Sequence, residues 1–306
     1  MRITQRVVDF MAWFGFGSTK ISLEELKKSI IESPDTFPQD LRKNLEKIDF
    51  VTGWEVIKLT LPYLNKVKGR NLVRLLLGDK IHLLESLAEE RTERLLAIEC
   101  LGYLPSRETV EILIRLLSSK DENVQLAAAG ALKHHTPRLV VPYLMDALLE
   151  GSALPSRVGE VLLVMGYYAE EALLEAFPQA TPTIQAYILE LLTHAANPKC
   201  KDLVAEALKQ DDFKLKTKAL EAVASFSFSE FWPEVVMCLA EPQWTLRAKA
   251  LEVLAKLEVK EARDFVEAFL HDEDEWVREC AQYYLKTIEN VSTITEEKSN
   301  AVNQLG

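Results

Sequence analysis

The sequence predicts an all-α fold, a solenoid of stacked helix pairs with a helical cap at its N-terminal end. Three observations carry that expectation. A small or aliphatic residue recurs at Ala97, Ala128, Val161, Ile188, Ala219, Ala250 and Ala281, in steps of 31, 33, 27, 31, 31 and 31 residues. Around these anchors the apolar residues fall at i, i+3, i+4 and i+7, the spacing of an amphipathic helix with one buried stripe. A break and a second apolar-periodic stretch follow, so that each unit is an antiparallel helix pair. Such a unit cannot bury its apolar face alone and must stack on its neighbours.

The first helices read ERLLAIECLG (93–102), VQLAAAGALK (124–133), LKTKALEAVA (215–224), LRAKALEVLA (246–255) and VRECAQYYLK (277–286). Three positions before the anchor stands Arg94, Lys216, Arg247 or Arg278, and acidic turns such as Asp121-Glu122 and Asp272-Glu273-Asp274 precede the helices. Acid at a helix start complements the macrodipole. The second stretches run Pro105 to Leu117, Pro137 to Leu149, Tyr167 to Phe177, Pro198 to Leu208, Trp232 to Leu239 and Val259 to Leu270. Several open on proline, whose missing N–H costs nothing in the first turn. Alanine at the anchor suits helices about 8 to 10 Å apart. The larger anchors Val161 and Ile188, the 33- and 27-residue steps, and Pro178 and Pro182 predict a bend or groove near residues 150–200.

Residues 1–80 do not follow the repeat and are expected to form the cap. Ser22-Leu23-Glu24-Glu25 has the form of a capping box opening a helix to Ile31. Further helices are expected over Pro38 to Ile48, Trp54 to Leu64 and Leu72 to Leu84. In residues 1–17, Arg2, Arg6, Phe10, Trp13 and Phe14 have the mixture of basic and aromatic residues that suits an amphipathic docking helix, against a membrane interface, a partner or the neighbouring helices. The solenoid then covers 81–288 in about seven helix pairs, with 289–306 as a flexible tail.

The V-R-x-x-A-x-x-A/C-L core, with its short loop and second helix, resembles HEAT repeats, in particular the short bacterial kind related to phycobilisome-lyase repeats. The resemblance implies a right-handed α–α superhelix with first helices on the convex side and second helices on the concave side. It implies no activity.

Composition narrows the function. The 306 residues are 48% hydrophobic with few glycines and prolines, which is ample material for a helical core. The apolar runs fall short of the roughly 20 residues a transmembrane helix needs, and no signal-peptide cleavage pattern follows the short stretch 10–17. Four scattered cysteines without a C-x-x-C pair suit a reduced, cytoplasmic setting, with membrane-peripheral attachment through the N-terminus as the variant. Residues 1–80 carry a net charge of +4 and residues 81–306 a net −15. An acidic array argues against nucleic acid, whose binding runs on phosphate neutralisation by Lys and Arg. It favours a basic segment of another protein.

Enzyme chemistry has little support. His134-His135 is the one histidine cluster; adjacent histidines on a helix diverge, and a solvated helix end is expected there. Deoxyhypusine hydroxylase, an enzyme of HEAT-like repeats, uses His-Glu pairs for its metals, and this chain has no His-Glu dipeptide. DNA glycosylases of similar architecture need a basic face, and no phosphate loop or nucleophile motif appears. No cofactor and no metal is expected. The sequence thus points to a non-catalytic scaffold or adaptor that holds a partner protein along the acidic concave face expected of the second helices, through Asp146, Glu150, Glu170, Glu171, Glu175, Glu230 and Glu234, with Tyr143, Tyr168 and Trp232 as candidate anchors. Alternatives are a regulatory subunit recruited to membrane through residues 1–17, and a phycobilin lyase-like enzyme subunit.

Overall fold

A computed structural model describes the backbone of residues 22–90 and 93–303, with side chains described to residue 290. Among the described residues the chain is helical and contains no strand. The N-terminal segment has α1 (Leu23–Glu32), α2 (Gln39–Leu45), α3 (Phe50–Thr60) and α4 (Lys66–Leu77), followed by α5 (Ile81–Glu89). Then come pairs of a first and a second helix: α6 (Arg94–Gly102) and α7 (Arg107–Leu116), α8 (Glu122–Leu132) and α9 (Pro137–Glu150), α10 (Pro155–Met165) and α11 (Tyr167–Ala176), α12 (Pro182–His194) and α13 (Lys201–Lys209), α14 (Phe213–Phe226) and α15 (Trp232–Met237), α16 (Trp244–Lys256) and α17 (Arg263–Glu267). A last first helix, α18 (Glu275–Asn303), ends the described chain.

Local chemistry sets these boundaries. The capping box at α1 is formed: Ser22 Oγ accepts from Glu25 N at 3.2 Å, and Glu25 accepts from Ser22 N at 2.8 Å. Asp212 caps α14 by accepting from Leu215 N at 2.8 Å. Ends of first helices repeat as faithfully as their starts. Ala196, Ser227 and Glu258 have φ of 53°, 55° and 54°, and each lies eight residues beyond its anchor. The next residue's N–H reaches back to Leu192 O, Val223 O or Leu254 O at 3.0, 3.1 and 3.2 Å. This Schellman geometry satisfies a carbonyl that the helix end would otherwise orphan, and holds a non-glycine residue in the left-handed region at a cost of about 1 kcal/mol.

Packing explains the anchors. All seven, from Ala97 to Ala281, are fully buried. Within the second unit α12, α14, α16 and α18 pack directly on one another in sequence, while α13 and α15 meet over a shorter stretch. In the first unit α6 packs on α8 with equal intimacy. There a Cβ built on Gly102 would lie 2.9 Å from the Cα of Ala131, so only glycine permits that approach.

The chain forms two compact units: residues 22–147 with 151–161, and 148–150 with 162–303. Their border falls where the repeat step departs from 31 residues. The stretch Leu72 to Leu84, expected as one helix, is two: α4 stops at Leu77, and Gly78, Asp79 and Lys80 separate it from α5. The segment expected as a tail after 288 is helical to Asn303. Residues 1–17, with Arg2, Arg6, Phe10, Trp13 and Phe14, lie outside the described residues.

Candidate functional site

Three of the cations that stand three positions before the anchors tie their first helix to the start of the next. Arg94 donates to Asp121 at 2.8 Å, and Lys216 pairs with Glu241. Arg247 holds both carboxylate oxygens of Asp272 at 2.9 and 2.8 Å, and also donates to the carbonyls of Glu241 and Pro242. Both side chains of that pair are only 8% exposed. The Arg247 hydrogen bond holds the Asp272 carboxyl below its ordinary range. Sequence reading saw the two residue types but not that they meet across a repeat; their recurrent separation of 25 to 27 residues was the available signal. They are structural ties.

The acidic residues of the second helices are placed unevenly. Asp146 and Glu150 are exposed on α9, where Tyr143 is half-buried with the Arg107 guanidinium 5.7 Å from its ring centre. Glu170, Glu171 and Glu175 follow one another along α11, and only Glu175 is fully open to solvent. The Glu170 carboxylate accepts from the buried Asn197 side chain at 2.8 Å. Glu171 pairs with Lys199 at 2.7 Å, and Glu230 with Lys201. That bond holds the Glu230 carboxyl below its ordinary value. Glu234 and Trp232 are half-buried at the start of α15, and Tyr168 is exposed, edge-on to Tyr167. Two of the seven expected carboxylates are therefore already matched, both by lysines of the α12–α13 pair.

First helices also present a surface. Glu190 of α12 and Glu221 of α14 both hold Lys218, at 3.3 and 3.1 Å, and Lys249 pairs with Glu252 at 3.1 Å on α16. Burial works against the charge of Lys218, but the two carboxylates outweigh it and raise its pKa. These pairs border a cavity of about 560 Å³ that includes Thr193, His194, Ser225 and Lys256. A second cavity of about 600 Å³ in the N-terminal segment is lined by Arg42, Arg74, Lys80, Glu46 and Asp79.

The histidine pair is not a solvated helix end. His135 is 5% exposed, and neither ring nitrogen has a hydrogen-bond partner. Burial, then the nearby charges of His134, Arg70 and Arg74, push its pKa down to about 4. His134 stacks on Tyr103 with ring centres 5.5 Å apart. Among the described residues no three His, Cys, Asp or Glu side chains stand close enough to hold a metal, and no helix is long and apolar enough to cross a membrane.

Residues 81–157 match the family model described as HEAT repeats. No curated protein matches the chain. Among solved structures, the chain is similar to an engineered protein at 14% identity, covering 87% of this chain and 88% of that one, with a TM-score of 0.42. The karyopherin Kap121p bound to the SUMO protease Ulp1p is 13% identical over 94% of this chain and 39% of its own, with a TM-score of 0.45. Human deoxyhypusine hydroxylase in complex with glycerol is 13% identical over 88% of this chain and 96% of its own, with a TM-score of 0.34. These scores are low, and the likenesses transfer neither activity nor partner.

Proposed function

We propose that the chain is a non-catalytic scaffold or adaptor that holds a basic segment of a partner protein against its helix pairs. The observation that supports this reading most is that each compact unit repeats the same scheme of helix pairs with buried anchors and charged ties, the first of them over the HEAT-matching residues 81–157. Stacked helix pairs of this kind offer an outer surface whose exposed side chains are free to vary, because folding rests on the buried core and the ties. On the second helices of the second unit, Glu175 is open and Glu171 and Glu234 are half-exposed. Their charge suits Lys and Arg side chains, which would compete with Lys199 for Glu171.

The test begins with purification of the tagged full chain from its own cells and identification of what accompanies it by mass spectrometry. The affinity of the recovered partner is then measured for the triple variant E171K/E175K/E234K. Glu170 is left intact, because its bond to buried Asn197 is part of the fold. Reversal should weaken the complex by tenfold or more, and the remaining affinity should depend less on salt. A partner that binds the variant as tightly as the parent would remove these carboxylates from the reading.

A further inference from the structure

The strongest feature outside those carboxylates is a row of exposed aromatic rings at the starts of the last three first helices. Phe213, Trp244 and Trp276 are 38%, 45% and 52% exposed. Phe213 and Trp244 stand six residues before their anchors and Trp276 five. The corresponding positions in the three preceding pairs are Glu122, Pro155 and Pro182. A polar or proline residue is what a helix start ordinarily takes. Large rings at this place serve neither the cap nor the core, and exposed aromatic groups in series mark contact surfaces.

Because α14, α16 and α18 pack side by side, their N-termini open along one edge of the second unit. Neighbouring helix starts are therefore about one helix spacing apart, roughly 8 to 10 Å. An extended polyproline II segment repeats every three residues at about 3.1 Å each, or about 9 Å per turn, and so brings every third side chain over a successive ring. The same edge is acidic. Asp211, 3.8 Å from Lys216, is fully exposed, and Glu273, 3.6 Å from Arg247, nearly so, with Glu275 open beside Trp276. Lys216 and Arg247 are buried in the inter-repeat ties, and Arg278 donates to the carbonyls of Asp272 and Glu273; Lys209 and Lys214 are the exposed cations nearby. Exposed rings and exposed carboxylates along one edge attract cations on both counts.

We infer that this edge docks an extended Lys- or Arg-rich segment of a partner protein, with a cationic side chain over each of Phe213, Trp244 and Trp276. The inference rests on the reading of the chain as a protein-binding scaffold, and adds a second contact surface made of different residues from the second-helix carboxylates.

The test uses the full-length chain and a fluorescein-labelled peptide of Arg-Ala-Pro triplets, with the Glu-Ala-Pro peptide as counterpart. The arginine peptide should bind, more weakly as salt rises, and the glutamate peptide should not. W244S/W276S should weaken binding about fivefold to thirtyfold, as expected for two cation–π contacts at exposed sites. F265S, which removes an exposed ring from α17, should leave it unchanged. E273Q/E275Q should flatten the salt dependence. If circular dichroism shows the tryptophan variant unfolded, F213S takes its place, with about a twofold to fivefold loss expected. The inference is overturned if the arginine peptide does not bind, if the glutamate peptide binds equally, or if a folded ring variant binds as well as the parent. Should the edge fail while E171K/E175K/E234K still weakens the natural complex, only the edge is withdrawn; if that reversal has no effect either, the scaffold reading loses its carboxylates as well.

Discussion

In the second unit the first helices α12, α14 and α16 run for 13, 14 and 13 residues, while the second helices α13, α15 and α17 shorten to 9, 6 and 5. The short ones are flanked by 3-10 turns such as Cys238–Ala240 and Ala268–His271. First helices carry the fully buried anchors, the buried cations and the Schellman ends, and each packs directly on the next. Second helices mainly cover the side of the first layer. A layer that transmits stacking from repeat to repeat must keep its geometry, whereas a covering layer needs only to exclude water, so it can shrink to little more than a turn without breaking the array.

The largest effect should come from charging the stacking layer. Ala250 lies fully buried where α16 meets its neighbours, and Ala250→Asp should cost about 3 to 5 kcal/mol in denaturant unfolding. Gln282→Asp, on the exposed face of α18, should stay within about 0.5 kcal/mol. Equal midpoints for the two would put the anchor in the wrong layer.

Next comes the junction between layers, at His135 in the turn from α8 to α9. Its pKa in the folded chain is about 4 against an ordinary 6.5, so the unfolded chain takes up a proton first as pH falls. Stability should therefore be intact above about pH 6.5 and drop by roughly 3 kcal/mol by about pH 4. His135→Leu should flatten that part of the profile, and an unchanged slope would show that the imidazole is protonated in place.

Removing a tie should matter less. Arg247→Ala leaves the Asp272 carboxylate 8% exposed and without its bidentate partner, for a loss of about 2 to 3 kcal/mol. Because Arg247 holds the Asp272 carboxyl below its ordinary range, this contribution is complete above that range, begins to fall as pH enters it, and is lost once pH drops below the lowered value in the folded chain. Arg263→Ala, on the covering layer with exposed partners Glu267 and Glu289, should change the midpoint barely at all.

The smallest pair tests a single contact. Gly102→Ala forces a methyl against the backbone of Ala131 and should destabilise by about 1 to 2 kcal/mol, although alanine is the better helix former. Gly130→Ala meets nothing within 4 Å and should stabilise by about 0.5 to 1 kcal/mol. The same sign for both would mean that propensity, not the close approach of α6 to α8, decides these positions.

Periodicity exposed much of this in the sequence. The anchors and second helices could be read because each depends on spacing within one helix. The break at Gly78 escaped because apolar spacing runs on from Leu72 through Leu84 and no proline marks the gap. The pairing of Glu171 with Lys199 and of Glu230 with Lys201 escaped for a different reason: whether two exposed charges meet depends on how successive pairs are offset, which a helical period does not encode. Thus the helical framework was legible, while the number of carboxylates left open on the second helices was not. The lowered pKa of His135 was hidden likewise, because burial and the charges of Arg70 and Arg74 on α4, more than 60 residues away, act on it together.

The four cysteines have a practical consequence. Cys100, Cys200, Cys238 and Cys280 are 0%, 0%, 2% and 7% exposed, no two share a repeat, and burial pushes each thiol above its ordinary pKa. A thiol reagent reaches such a sulfur only when the surrounding pair opens, so four labelling rates, resolved by peptide mapping, would chart fraying from repeat to repeat along the chain. The native protein thus carries a set of position-specific clocks, and a bound partner would show its footprint as the subset that slows.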